Sequence, residues 1–321
     1  MRDVKEILST SKSRAMPEIR TQSFLQKVRR DTPWLMMVLP AFTFYLLFHY
    51  IPMYGVIISF QNFRIPRGVL GSEWVGFKWF LQFFQSNFFW RLIRNTLLIS
   101  IYGLVFAFPV PIFFALFLDQ IKFMAFKRFA QTASYLPYFI STVVVIGIMV
   151  NFLSPNNGLV NVLLNRMGYD SINFMADSRW FRSLYIGSNI WQTFGFSSII
   201  YLAAIAGINP ELYDAAEVDG CSKTRKVIHV TLPGIAPTII ILFLLRMGTM
   251  LRVGFEKILL MYSGSTYDVA DVISTYVYRR GIISGEFSFA TAVGFFNSVV
   301  NLIILFAFNR LARRFSETSL W

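Results

Sequence analysis

The sequence predicts an all-α polytopic membrane protein with six transmembrane helices, and three observations predict it. Apolar residues make up 55% of the 321 residues and charged residues only 15%, well below the roughly 25% of soluble domains. The apolar residues gather into six runs, each about the 20 residues that carry a helix across a hydrocarbon core roughly 30 Å thick. These runs are continuously apolar rather than alternating, which excludes the strand pattern of a closed barrel.

In chain order, residues 1–33 are basic and have no apolar core before Trp34. They are read as a cytoplasmic N-terminal segment, not as a cleaved signal peptide. The first helix is expected over 34–60, interrupted by His49, Pro40 and Pro52. A five-helix core follows over 92–309, with spans near 96–118, 132–153, 184–208, 236–260 and 289–308, and a tail over 310–321. The fifth span is unusual in carrying Arg246, Arg252, Glu256 and Lys257. With the N-terminus inside, the cytoplasmic pieces hold 17 Lys and Arg and the opposite loops 10. The positive-inside rule therefore places both termini in the cytoplasm. The formal charge of +13 is accounted for in the same way and does not call for nucleic acid. The external loops are rich in aromatics such as Trp74, Phe77, Trp79, Phe80 and Trp90, suited to an interfacial belt or to a docking face for an external protein.

Several functions are excluded. A single Cys221 allows no internal disulfide framework or Cys-based metal site. Two histidines, His49 and His229, are too far apart for zinc, and no phosphate loop of the GxxxxGK[ST] kind occurs.

The polar stretch 209–237, NPELYDAAEVDGCSKTRKVIHVTLPGIAP, lies between the fourth and fifth spans on the expected cytoplasmic side. Asn209 and Pro210 suit a helix start, and Glu211 and Asp214 lie in the first turn, where the helix dipole favours negative charge. Leu212, Ala215, Ala216 and Asp219 recur at helical spacing and Gly220 ends the helix. A second helix starts near Lys223, Arg225 and Lys226, and Pro233 is expected to stop it. The small side chains at 215, 216 and 220 let another surface approach.

The run DAAEVDGCSKTRKVIHVTLP resembles the EAA loop of type I ATP-binding-cassette (ABC) importer permeases. Asp214 stands where Glu is usual, Gly220 and Pro233 match the motif's Gly and Pro, Val230 takes the Ile place, and Cys221 replaces the usual Ala. The resemblance extends through FHYIPMYGVIISF, YLPYFIS, NFLSPNNGLVN, IYLAAIAGINPELYDAAEVDG and YDVADVISTYVYR. Over residues 34–314 these are similar to the carbohydrate-uptake, maltose-permease-like branch, and within it to the subgroup importing oligo- or polysaccharides such as alginate. The chain lacks the extra N-terminal helices and the large external insertion of the maltose subunit.

The resemblance implies a permease subunit of a bacterial inner membrane and half of a translocation pathway. Its loop residues Glu211, Asp214, Ala215, Ala216, Asp219, Gly220 and Pro233 would couple to an ATPase. The implied partners are a second permease subunit, two ABC ATPase subunits, an extracytoplasmic solute-binding protein and a saccharide. ATP and Mg²⁺ would sit on the ATPase, and no cofactor is expected on this chain.

Polar side chains inside spans are site candidates by default. Asn189, Trp191 and Gln192 in the fourth span pair amides with an indole, which suits sugar recognition; an interfacial Trp beside a capped helix end fits equally. On one continuous fifth helix, Arg246 and Lys257 fall about 20° apart around the axis, and Arg252 and Glu256 form an i, i+4 pair. Arg246 has no acidic residue at i±3 or i±4 and suits either a partner chain or an acidic sugar. Asn297 and Asn301 either line the same path or bind neighbouring helices. The competing readings are a secondary transporter or channel, for which Glu256 is the strong coupling candidate, and a permease for a non-sugar solute. An intramembrane enzyme finds no catalytic pair.

Overall fold

The computed structural model describes residues 24–315; the expected N-terminal segment up to residue 23 and the tail beyond 315 lie outside the described residues. The chain divides into two compact units, Met1–Gly55 and Val56–Trp321. In the first, α1 (Phe24–Tyr45) passes into a π-helical turn, Leu46–Tyr50. Its apolar side chains, among them Trp34, Met37 and Phe48, are exposed.

The second unit opens with a short hairpin, β1 (Gln61–Asn62) against β2 (Glu73–Trp74), with Gln61 opposite Trp74. The helix α2 (Lys78–Phe84) buries Phe80 and Phe83, which meet Phe295 and Phe296. Part of the aromatic richness of this loop is therefore core, while Trp74, Phe77 and Trp90 stay exposed. Next come α3 (Phe89–Gln120), α4 (Met124–Phe139) and α5 (Thr142–Phe152), then α6 (Leu159–Arg166). The chain goes on through α7 (Ser178–Ala206), α8 (Pro210–Val218), α9 (Lys223–Gly248) and α10 (Phe255–Met261). It ends in α11 (Ile273–Tyr278) and α12 (Phe287–Phe315). By length and composition these supply six apolar spans when each bent pair counts as one, in agreement with the sequence.

The spans are less regular than their composition suggests. The third is two helices, α4 and α5, bent by 99° where Pro137 disrupts the helix and Ser141 caps a new one by accepting from the Val144 N–H. The fifth is not one helix over 236–260. Its helix begins at Lys223, runs through Pro233 and Pro237, and ends at Gly248. The expected 20° relation of Arg246 and Lys257 therefore does not hold, because the two residues sit on separate helices. Nor do Arg252 and Glu256 pair: Arg252 lies in the irregular stretch between α9 and α10, and no ion pair joins them among the described residues.

Pro233 fails to stop its helix for a definable reason. A proline clashes with the carbonyl four residues back and donates no hydrogen bond. Here a π-helical turn over Val227–Thr231 immediately precedes it, and the Leu232 N–H reaches back five residues to Val227. The wider turn removes the conflict. The same pairing recurs twice, with Gly103–Ala107 before Pro109 and Leu46–Tyr50 before Pro52.

Backbone that leaves a helix at membrane depth must find polar partners within the protein. For 249–254 three side chains supply them. Ser100 Oγ of α3 donates to the Met250 carbonyl. The Leu251 N–H donates to Asn301 Oδ1 of α12 at 2.9 Å, and the Gly254 N–H to Tyr185 Oη of α7 at 3.0 Å. Asn301 is thus a helix-to-helix binder, one of the two roles open to it in the sequence. At Gly195 of α7 a Cβ would lie 2.1 Å from the Ser134 carbonyl oxygen, so α4 and α7 pack closer than any side chain permits.

The starts of α3 and α7 are tied to the segment before α11 by a buried acid the sequence did not single out. Asp271 is fully buried and accepts from Arg279 Nη2 at 2.7 Å, Arg91 Nη2 at 3.2 Å and Thr275 Oγ1 at 2.9 Å. Asn95 Nδ2 donates to the Asp268 and Asp271 carbonyls, both at 3.0 Å, and its Oδ1 accepts from Arg182 at 3.1 Å. Burial works against the Arg279 charge. The hydrogen bond and charge of Asp271 outweigh it and hold that pKa above its ordinary value. Replacing Asp271 by Asn leaves two partly buried guanidinium groups without a counter-charge, at a cost of about 3 kcal/mol. The detergent-purified protein should melt several degrees lower, and an unchanged melting temperature would show that the network contributes nothing.

Candidate functional site

Two regions hold the residues singled out in the sequence, and α7 and α9 connect them. The first is the corner between α8 and α9. Asn209 Oδ1 accepts from the Glu211 N–H at 3.1 Å, capping α8 as expected, and α8 bends 70° away from α7. Gly220, at φ +70°, ends it: the Cys221 N–H returns to the Ala216 carbonyl at 2.9 Å, a closure that needs a left-handed residue. Ser222 then caps α9 by accepting from Arg225.

The two arms of the corner are fastened together. Lys226 Nζ lies 2.7 Å from Glu217 Oε2, and Tyr213 Oη lies 3.0 Å from Thr231 Oγ1. Of the expected loop residues, Glu211, Asp214, Ala215, Asp219 and Gly220 are exposed on this corner, and Ala216 is buried within it. Pro233 lies beyond it in α9, also exposed. The sequence missed two features, the Glu217–Lys226 tie and the apolar Val218, which is 89% exposed. The acidic-then-basic order of the loop was the available signal for the ion pair.

The second region is a largely apolar hollow among α3, α4, α7 and α9, with a few polar side chains in its wall. A cavity of about 620 Å³ is lined by Tyr138, Asn189, Thr193, Ser197, Arg246 and Thr249, among others. Arg246 forms no ion pair among the described residues. Its Nη2 lies 3.3 Å from where a Cβ on Gly103 would be, so the guanidinium rests against a bare patch of α3. A second cavity of about 320 Å³ shares Tyr138, Asn189 and Thr193 with the first and adds Gln192, Glu256 and Lys257. Gln192 Nε2 donates to the Ile140 carbonyl, at the break between α4 and α5, at 2.9 Å.

The structure thus brings Asn189, Gln192 and Arg246 together, and separates the other candidates from them. Trp191 points to another face of α7, into an apolar hollow with Val145, Ile148 and Met149. Arg252 and Asn297 line neither cavity. Tyr138 and Thr193 are lining residues that sequence reasoning did not propose, and Lys257 is one that it set beside Arg246 without giving it a role of its own. Their signal was a polar side chain in an apolar run, shared with many residues that prove structural.

Comparison with known proteins places this architecture. The family model described as "Binding-protein-dependent transport system inner membrane component" matches residues 107–317. The polygalacturonan/rhamnogalacturonan transport system permease protein YteP of Bacillus subtilis (strain 168) is 42% identical over 89% of this chain and 89% of its own length. Protein LplB of the same organism is 39% identical over 93% of this chain and 94% of its own. A crystal structure of a bacterial ABC transporter that imports the acidic polysaccharide alginate contains a chain matched with TM-score 0.84 and 44% identity, covering 91% of this chain and 99% of that one. A second, of a bacterial alginate ABC transporter in complex with an alginate pentasaccharide-bound periplasmic protein, matches with TM-score 0.86 and 42% identity over 93% and 100%. The match of the family model to most of the chain and the identity to full-length relatives lead to one assignment: the chain belongs to the family of binding-protein-dependent transport system inner membrane components.

Proposed function

We propose that the chain is the permease subunit of an ATP-driven importer for an acidic oligo- or polysaccharide. The observation that carries the substrate class is Arg246, an exposed cation lining a largely apolar cavity whose other polar groups are hydroxyls and an amide, with no carboxylate to neutralise it. An acidic sugar supplies the missing charge through paired N–H donors, while Asn189, Thr193 and Ser197 meet its hydroxyls. Relatives named for polygalacturonan and alginate transport support the reading.

In this reading the chain forms half of the pathway and a second permease subunit the other half. A solute-binding protein delivers the saccharide from outside. Two separate ATPase subunits bind ATP and Mg²⁺ and hydrolyse the nucleotide, and this chain carries no cofactor. Both termini lie in the cytoplasm. The exposed corner residues Glu211, Asp214, Ala215, Asp219, Gly220 and Val218 meet the ATPase. One arm of that corner follows α7, which carries Asn189, and the other is continuous with Arg246 through α9. Closure of the ATPase pair therefore moves two walls of the cavity together.

Three outcomes are expected. Gly220→Leu forces a side chain into a left-handed position at a cost of about 1–2 kcal/mol and reshapes the corner; membrane insertion should persist while substrate-stimulated ATPase activity is lost, and retained stimulation would sink the coupling role. Arg246→Ala should slow uptake of an acidic oligosaccharide about tenfold and of a neutral analogue less than twofold; equal losses would make Arg246 structural. The purified chain alone should hydrolyse ATP no faster than background, and measurable turnover would contradict the division of labour.

A further inference from the structure

Lys257 has no assigned role, and its surroundings are unusual for a lysine. The residue is only 6% exposed, yet it forms no ion pair among the described residues. Its Nζ reaches Gln192 Oε1 at 3.5 Å, the limit of a hydrogen bond. It also stands 6.0 Å from the centre of the Tyr185 ring, the limit of a cation–π contact. A buried ammonium held by one long amide contact is expensive unless something else completes its shell. Gln192 cannot turn to do more, because its Nε2 is committed to the Ile140 carbonyl. That commitment fixes Oε1 toward Lys257 and sets the ammonium in the wall of the smaller cavity.

The smaller cavity adjoins the larger, and Tyr138, Asn189 and Thr193 line both. Each of the two adjoining cavities thus holds one cation, Arg246 in one and Lys257 in the other, with neutral hydrogen-bonding side chains shared between them. Glu256, exposed and lining the same cavity as Lys257, pairs with neither cation. A neutral sugar would leave both cations without an ion-pair partner, and a sugar with a single carboxylate would leave one so.

We propose that Lys257 is a substrate-contacting residue that receives a second carboxylate, so that the pathway is built for an oligosaccharide with acidic groups on more than one unit. The inference rests on the saccharide reading above and narrows it to oligouronates. Lysine suits the second position because its ammonium is a mobile point charge that holds and releases more readily than a forked guanidinium.

The test uses the assembled transporter, with its ATPase and binding protein, in proteoliposomes. Uptake of tri-galacturonate is compared with uptake of its methyl ester, which keeps the ring skeleton and removes the charges. Lys257→Gln should slow uptake of the acid at least tenfold and of the ester less than twofold. Lys257→Arg should retain acid uptake within about threefold. Acid uptake by Lys257→Gln within twofold of the unaltered protein would overturn the proposal, as would equal losses on acid and ester. If the unaltered transporter moves neither compound, the saccharide reading itself fails, which is a different result.

Discussion

The second unit depends on the hydrogen bonds that close the gap between α9 and α10. Six residues leave helical geometry there, in an interior where no lipid can bond to an amide. Ser100, Tyr185 and Asn301 bind the gap from three different helices, so α3, α7 and α12 are held in place by one irregular stretch. The break is also what separates Arg246 from Lys257. A continuous helix would have stacked both cations on one face; the interruption places them in two adjoining cavities.

Helix α7 is the common partner of both irregularities. Tyr185, Asn189 and Gln192 follow at spacings of four and three and so share a face. Tyr185 binds the gap after α9, Gln192 binds the break between α4 and α5, and Asn189 lies between them in both cavities. The side chains that stabilise the broken helices and those that line the path form one stripe. Where α7 ends, the chain turns into α8 with only three residues between them. The Glu217–Lys226 and Tyr213–Thr231 contacts then join that arm to the next, so the corner behaves as a unit rather than as two loose ends.

Much of this was legible in the sequence because its causes are local. Span number follows from composition, and the corner follows from Asn209, Pro210 and Gly220, whose effects reach only a few residues. The third span was misjudged although its break has local causes, Pro137 and the Ser141 cap, and the fifth where distant residues decide the outcome. Nothing near 249–254 announces that Ser100, Tyr185 and Asn301 will receive it. Pro233 was taken as a stop because a proline stops an ordinary helix, and the compensating π-helical turn has no marked composition in Val227–Thr231. Trp191 looked like a companion of Asn189 and Gln192 because it adjoins them in sequence, yet neighbours on a helix point about 100° apart. Asp271 was not singled out because the Arg91 that meets it lies 180 residues away.

The pairing of a π-helical turn with a following proline carries one more consequence. Each such turn holds one residue more than the regular repeat, which rotates everything downstream by about 100°. Beyond Gly103–Ala107 that rotation presents Ile112 and Ala115 to Tyr201 and Ile205. The proline two places on clashes with the carbonyl of a regular repeat, so the wider turn is held in place. Azimuth along these spans is thus set in discrete steps, and a wheel projection drawn straight through a proline assigns the wrong side chains to the path.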